Sequence, residues 1–216
     1  TAHAIYCAAP ALDDRVVIAF ADTLFDANFR IDPEQDGIIW VKQVENPSQF
    51  GVVKLNEQQV IQEFLEKPKE APTNNAIIGI YYFRDGSALK AALQDLIDRG
   101  QTGNGEYQLT DAMENMKQQG TALTIGKVDQ WMDCGNKDAT IDTNTRILKL
   151  KQNEESLIST NIEKDNSVIV GPCYIGEGAV LRNSVIGPYT AVGAGSRVEQ
   201  SVVQESMVFD QAYLAN

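Results

Sequence analysis

The last third of the chain repeats itself every 17 residues, and no other feature limits its fold as much. Ser167-Val168-Ile169 aligns with Ser184-Val185-Ile186 and Ser201-Val202-Val203, and the same shift brings Ile175-Gly176 over Val192-Gly193, Gly178 over Gly195 and Leu181 over Val198. Asn166, Asn183 and Gln200 fall in one column, as amide side chains do when they stack from one turn of a solenoid to the next. The aliphatic residues Ile169, Ile175, Leu181, Ile186, Val192, Val198 and Val203 stand six, six and five apart within each repeat. Three short strands per turn fit that spacing, each pointing one aliphatic inward, with glycines where the backbone must bend sharply. A helix would need a 3.6-residue period, and Gly176-Glu177-Gly178-Ala179 would break one. Residues 163–209 are therefore expected to form about three coils of a hexapeptide-type parallel β-helix, with those seven aliphatics as its core.

Ahead of the repeats, strand and helix signals alternate. Val16-Val17-Ile18-Ala19-Phe20 reads as a strand of the buried parallel type. Further strands are expected at 38–44, 51–55, 60–65 and 76–83, with a turn at Asn56-Glu57. Leu89, Ala92, Leu93, Leu96 and Ile97 mark one face of a helix that stops at Gly100. A glycine-rich loop, Gln101 to Gly105, leads to a second helix over 107–119. A third covers 138–152, with Ile141, Thr145 and Leu148 inward. The charged stretch Lys151 to Ser156 places the domain boundary, giving an α/β domain over 1–152 and a β-helix domain over 153–216.

The chain carries 18 basic and 30 acidic residues, a net charge of −12. A field of that sign disfavours nucleic acid and anionic membranes as partners. It also means that a phosphorylated ligand must be held by local cations, a metal ion or helix N-termini. Cys7, Cys134 and Cys173 have no metal-ligand spacing and read as reduced thiols. No apolar run reaches membrane-spanning length and no signal-peptide pattern opens the sequence, so a cytoplasmic location is expected.

Asp22 ends the first strand run, where open α/β sheets place ligands; it could equally cap a helix after that strand. A second acid stands in Trp131-Met132-Asp133-Cys134-Gly135, where the small Gly135 leaves the carboxylate free to face a cleft. Two such carboxylates could share a cation of the magnesium type, which takes hard oxygen ligands and bridges phosphates. In Glu66-Lys67-Pro68 the proline fixes a turn, so that a glutamate suited to sugar hydroxyls and a lysine suited to phosphate can face one ligand. Both also read as ordinary solvated charges. Trp131 reads as either a ligand platform or core.

Taken in order, Thr1-Ala2-His3-Ala4, Ala21-Asp22-Thr23, Phe50-Gly51-Val52-Val53, Glu66-Lys67-Pro68, Asn75-Ala76-Ile77-Ile78-Gly79, Gly105-Glu106-Tyr107-Gln108-Leu109-Thr110-Asp111 and Trp131-Met132-Asp133-Cys134-Gly135 resemble the sugar-1-phosphate nucleotidylyltransferases. The likeness covers almost the whole chain, solenoid included. It implies an incomplete Rossmann-like nucleotidyltransferase domain followed by a short left-handed β-helix. The implied reaction joins a nucleoside triphosphate to a sugar 1-phosphate and releases pyrophosphate, with Mg2+ as cofactor. Asp22 and Asp133 match the family's metal-binding aspartates. Gly51, Glu66 and Asn75 match positions that hold the sugar, and Lys67 a lysine on its phosphate. Thr1 and Ala2 fall in the segment that meets a pyrimidine base through backbone groups, which implies a uridine or thymidine nucleotide; His3 packs or orients that loop.

One departure is large. The family's glycine-rich phosphate loop, Gly-x-Gly-Thr-Arg followed by a lysine, has no counterpart here. The resemblance therefore implies that roughly 80 residues of the nucleotide-binding domain lie outside this chain. On that reading the chain alone does not transfer nucleotides, and its exposed sheet flank is covered by the upstream segment or by another chain, including a homo-oligomeric partner. Two other readings remain. A solenoid acyltransferase generally needs a histidine in or beside its coils, and residues 163–216 contain none. A non-catalytic regulatory subunit would have lost its metal ligands, whereas Asp22 and Asp133 are both present.

Overall fold

The computed structural model describes residues 1–27, 31–100, 102–103 and 105–216. They form two compact units, Thr1–Trp131 and Met132–Asn216. Among the described residues no helix is long and apolar enough to cross a membrane.

The first unit opens with a short helix, α1 (Ala2–Tyr6), and continues through β1 (Val16–Ala19), β2 (Thr23–Asp26), β3 (Gly37–Gln43), β4 (Gly51–Leu55), β5 (Ile61–Glu66) and β6 (Asn75–Phe83). The helices α2 (Gly86–Asp98) and α3 (Leu109–Gln118), the strand β7 (Leu123–Lys127) and the start of β8 (Gln130–Asp133) complete it. The main sheet runs β5-β4-β6-β3-β7, with β1 added on β6. The long β6 pairs with β3 along one edge; on the other it meets β1 through Ile80–Phe83 and β4 at Ala76. Among the described residues of this sheet, β3 and β7 are the one parallel pair.

One sheet face carries Ile39, Val41, Ile77, Tyr81, Phe83 and Leu123. Against it lie Leu89, Ala92, Leu93 and Leu96 of α2 and Leu109, Ala112, Met113 and Met116 of α3, each set at the three-to-four spacing of a helix face. The Asp85 carboxylate caps α2 by accepting from the Ala88 N–H at 2.9 Å. The expected glycine-rich loop between the helices lies partly outside the described residues, at Gln101 and Asn104.

Two expectations are corrected here. The Val16–Phe20 run is not a buried parallel strand: β1 pairs antiparallel with β6 and its burial alternates, with Val17 53% exposed. Its apolar run signals strand propensity, but only the Val16 and Ile18 face packs on the core, while Val17 points away from it. The second concerns the helix α4 (Lys137–Lys151), in which Thr143 and Leu148 are buried while Ile141 and Thr145 are only half-buried. The Thr143 hydroxyl donates to the Asp133 carbonyl at 2.7 Å, which turns Thr143 inward. α4 belongs to the same compact unit as the solenoid, Met132–Asn216. The reason is that α4 packs on the solenoid: Asn144 Nδ2 donates to the Tyr189 carbonyl at 3.1 Å, and the Lys149 ammonium lies 4.8 Å from the Tyr189 ring centre.

The second unit continues as β9 (Glu163–Asp165), β10 (Val168–Ile169), β11 (Cys173–Ile175), β12 (Val180–Arg182), β13 (Val185–Ile186), β14 (Thr190–Val192), β15 (Arg197–Glu199), β16 (Val202–Val203), β17 (Met207–Val208) and β18 (Tyr213–Ala215). These form three parallel sheets, β10-β13-β16, β11-β14-β17 and β9-β12-β15-β18, the parallel β-solenoid that the repeat demands. Val168 pairs with Val185 and Val185 with Val202, one full repeat apart. In the last coil Ala191 pairs with Met207 and Arg197 with Tyr213, one residue shorter. Ile175, Leu181, Ile186, Val192 and Val198 are fully buried, Val203 nearly so, and the half-buried Ile169 packs on them. All seven expected core residues are thus in the column.

The polar columns are structural as well. Asn166 Nδ2 donates to Asn183 Oδ1 at 2.7 Å. Asn166, Asn183 and Gln200 have φ of +43°, +50° and +49°, a left-handed bend that asparagine tolerates better than most residues. A serine ladder runs beside them: Ser167 Oγ accepts from the Ser184 N–H at 3.0 Å, and Ser184 Oγ from the Ser201 N–H at 3.2 Å. Ser184→Ala orphans the Ser201 N–H and should cost about 1–2 kcal/mol, read as a lowered denaturation midpoint with an unchanged denaturant slope.

Candidate active site

The β4–β5 hairpin builds the centre of the site. Its turn is fixed by Asn56, whose side-chain oxygen accepts from the Gln58 and Val60 N–H groups at 3.0 and 2.9 Å, an arrangement that closes such turns locally. The hairpin register then sets Gly51 directly across from Glu66. A Cβ on Gly51 would lie 3.0 Å from Glu66 Oε2 and 3.5 Å from Thr110 Cγ2, so the missing side chain is the space the carboxylate uses. Thr110, buried in the first turn of α3, donates its hydroxyl to Glu66 Oε2 at 3.3 Å. Gly51→Ala should displace the carboxylate and weaken binding of a ligand held by Glu66 about tenfold; titration calorimetry with glucose 1-phosphate checks this.

Burial pushes the Glu66 carboxyl above the usual glutamate range. The Lys67 ammonium and the Thr110 hydrogen bond oppose that rise, while the Asp111 carboxylate adds to it. Burial also raises Asp111, and burial with the Glu66 charge raises the phenol of Tyr81. Glu66, Lys67, Thr110, Asp111 and Tyr81 therefore share one electrostatic neighbourhood. Lys67 itself is exposed, with φ of +43°. Its N–H donates to the Phe50 carbonyl at 3.1 Å, which holds this left-handed residue one step beyond the Gly51–Glu66 pair.

The opening segment is clipped to the loop before α3. The Ala2 N–H donates to the Tyr107 carbonyl at 2.9 Å, the Thr1 amino group to the same oxygen at 3.1 Å, and Thr1 Oγ1 accepts from the Leu109 N–H at 3.2 Å. Ala2 is fully buried, so its N–H is committed inside the protein; Thr1 is exposed. The His3 ring stacks on Tyr107, 6.4 Å between centres.

Asp22 stands exposed on a turn pinned at both ends. The Phe20 N–H donates to the Gly79 carbonyl at 2.9 Å, and the Thr23 hydroxyl to the Ile78 carbonyl at 3.0 Å. Gly79 has φ of +80°, and a Cβ there would come 2.8 Å from the Phe20 ring, so glycine is required both by conformation and by contact. Trp131 is half-buried, edge-on to Phe50 at 5.0 Å, and its indole N–H donates to Thr23 Oγ1 at 2.7 Å. Trp131 packs at the edge of the cluster formed by Ile38, Trp40, Ile78, Ile80 and Tyr82. Asn75 opens β6 opposite Gln43 and one residue before Ala76, which pairs with Val52 beside Gly51; it also lines a cavity of about 160 Å³ with Lys42, Gln43 and Lys127, and among the described residues no hydrogen bond ties it to Glu66.

In the second unit Asp133 is half-buried. Its Oδ1 accepts from the Gly135 N–H at 3.1 Å and its carbonyl from Thr143, which leaves Oδ2 available. Among the described residues no cluster of three or more histidine, cysteine, aspartate or glutamate side chains forms a self-sufficient metal site. Asp22, in the first unit, and Asp133, in the second, each carry a carboxylate, the hard oxygen ligand that cations of the magnesium type accept. Sequence reasoning assigned no role to Thr23, Tyr107, Thr110 or Asp111; all four lie inside motifs that carry the family resemblance, and only the fold reveals their partners.

The two units are an α/β sheet with packed helices and a parallel β-solenoid. The chain belongs to the nucleotidyl transferase family, whose model matches residues 1–150. Similar proteins include a low-salt glycan biosynthesis nucleotidyltransferase, Agl11, from Haloferax volcanii, 29% identical over 195 residues that make up 81% of this chain and 52% of that protein. A glucose-1-phosphate thymidylyltransferase from Streptomyces antibioticus is 25% identical over 215 residues, 93% of this chain and 59% of the relative. The chain therefore spans between half and three-fifths of the length of these relatives. The fold is also that of a Bacillus anthracis protein assigned as a glucose-1-phosphate thymidylyltransferase and solved with sucrose, with a TM-score of 0.55 and 22% identity over 68% of this chain and 60% of that one.

Proposed function

We propose that the protein carrying this chain transfers a nucleotidyl group from a nucleoside triphosphate, with uridine or thymidine as base, to a sugar 1-phosphate. A phosphate oxygen of the sugar phosphate attacks the α-phosphorus; the new P–O bond forms as the bond to pyrophosphate breaks. The nucleophile is already an anion, so no general base is required, and the barrier lies in aligning two polyanions. This agrees with a chain whose one histidine, His3, is stacked on Tyr107.

The observation that carries this reading is the Gly51–Glu66–Lys67 arrangement within a family match over residues 1–150. Glu66 would accept from sugar hydroxyls and Lys67 would meet the phosphate, with Trp131 and Asn75 bounding the sugar. Thr1 would face the base. Asp22 and Asp133 would hold a divalent cation, with Mg2+ proposed. Such an ion, when bound, neutralises charge on the phosphates undergoing transfer.

The test is a panel of nucleoside triphosphates against hexose 1-phosphates, scored by pyrophosphate release with a divalent cation present. Release with a pyrimidine triphosphate is expected. Acetyl transfer from a thioester donor without any pyrophosphate release would favour the solenoid acyltransferase instead.

A further inference from the structure

We propose that Thr110 is the positioning residue of the sugar site, its hydroxyl holding one oxygen of Glu66 so that the other is presented to the substrate. This rests on the reading of Glu66 as the sugar-binding carboxylate. A glutamate side chain has three rotatable bonds, and one bound only through solvent would lose that freedom on each binding event. Here Oε2 is held by Thr110 at 3.3 Å, and the space beside it is bounded by Gly51 and Ile77, whose Cδ1 lies 3.4 Å from where a Gly51 Cβ would stand. Thr110 is itself 7% exposed and anchored in the first turn of α3. The donor is therefore fixed by the helix and not by the ligand. Oε1 has no such partner among the hydrogen bonds of the described residues, and it is the oxygen left to accept from a sugar hydroxyl.

The surrounding charges give this arrangement a signature that packing alone would not. The groups acting on Glu66 are Lys67 beside it on the hairpin, Asp111 on α3 and the Thr110 hydroxyl; Tyr81 on β6 feels its charge in turn. Burial raises the Glu66 carboxyl and Thr110 opposes the rise. The ionised carboxylate is an acceptor only, at both oxygens, whereas protonation turns one of them into a donor. Sugar affinity should therefore be full at neutral pH and fall on acidification, with a midpoint above the ordinary glutamate range. Removing the hydroxyl removes a stabiliser of the charged form and moves that midpoint higher still.

The experiment compares wild type, Thr110→Val, Thr110→Ser and Glu66→Gln by calorimetric titration with glucose 1-phosphate across pH, and by carbon NMR titration of the Glu66 carboxyl without ligand. Thr110→Val should weaken binding about tenfold and raise the Glu66 titration midpoint, Thr110→Ser should restore both, and Glu66→Gln should bind weakly and keep only the acidic limb that belongs to the substrate phosphate. A Thr110→Val protein that matches wild type in affinity and in the Glu66 titration, while Glu66→Gln is impaired, overturns the positioning role alone. So does a Thr110→Ser protein that behaves as Thr110→Val, since volume and not the hydroxyl would then matter. Wild-type affinity in Glu66→Gln sinks the sugar-site reading and the role of Thr110 with it.

Discussion

Val192→Asp is expected to unfold the solenoid. Val192 is fully buried on β14, with Ile175 in register on one side and Val208 on the other, so a carboxylate there has neither water nor a donor. An uncompensated buried charge costs several kcal/mol, and protonating it recovers only part of that; about 4 kcal/mol or more is the expected loss. A domain of this size has only about 5–15 kcal/mol in reserve. Val202→Asp is the matched control, because Val202 lies on the neighbouring sheet but is 75% exposed; its effect should stay within about 0.5 kcal/mol. Circular dichroism melts and limited proteolysis separate the two. Similar melting curves for both variants would mean that the inward column carries no special weight.

The solenoid was legible from the sequence because its period is its structure: each coil repeats the same three inward positions, so Ile175 and Val192 announce one another from a repeat apart. The strand at Val16–Ala19 was legible in kind but not in setting. Apolar β-branched residues report strand propensity, while burial depends on how many neighbours the strand acquires, which no local pattern states. The allegiance of α4 was hidden for a related reason. It is decided by Asn144 and Lys149 meeting Tyr189, a contact with no periodic signal. At the candidate site the sequence motifs named Gly51 and Glu66, and their opposition follows from a short hairpin. The Thr110 bond to Glu66 spans 44 residues and the Thr23 bond to Ile78 spans 55; long-range hydrogen bonds of this kind leave no trace in composition or spacing.

Asp133→Asn should abolish cation-dependent turnover while leaving the fold intact. Asp133 Oδ1 accepts from the Gly135 N–H, and its carbonyl anchors Thr143. An asparagine keeps the carbonyl contact and the Oδ1 acceptor and removes only the charge and the second oxygen. A cation contributes several kcal/mol of charge stabilisation in phosphoryl transfer, so losing a ligand to it should reduce turnover about 100-fold or more. The melting temperature should move by less than about 2 °C. The deciding measurement is formation of nucleotide sugar and pyrophosphate from a pyrimidine nucleoside triphosphate and hexose 1-phosphates, with a divalent cation, by the protein carrying this chain in wild-type and Asp133→Asn forms. Equimolar nucleotide sugar and pyrophosphate from wild type, and a loss of about 100-fold in the variant at unchanged stability, is the predicted result; wild-type turnover in Asp133→Asn would contradict it.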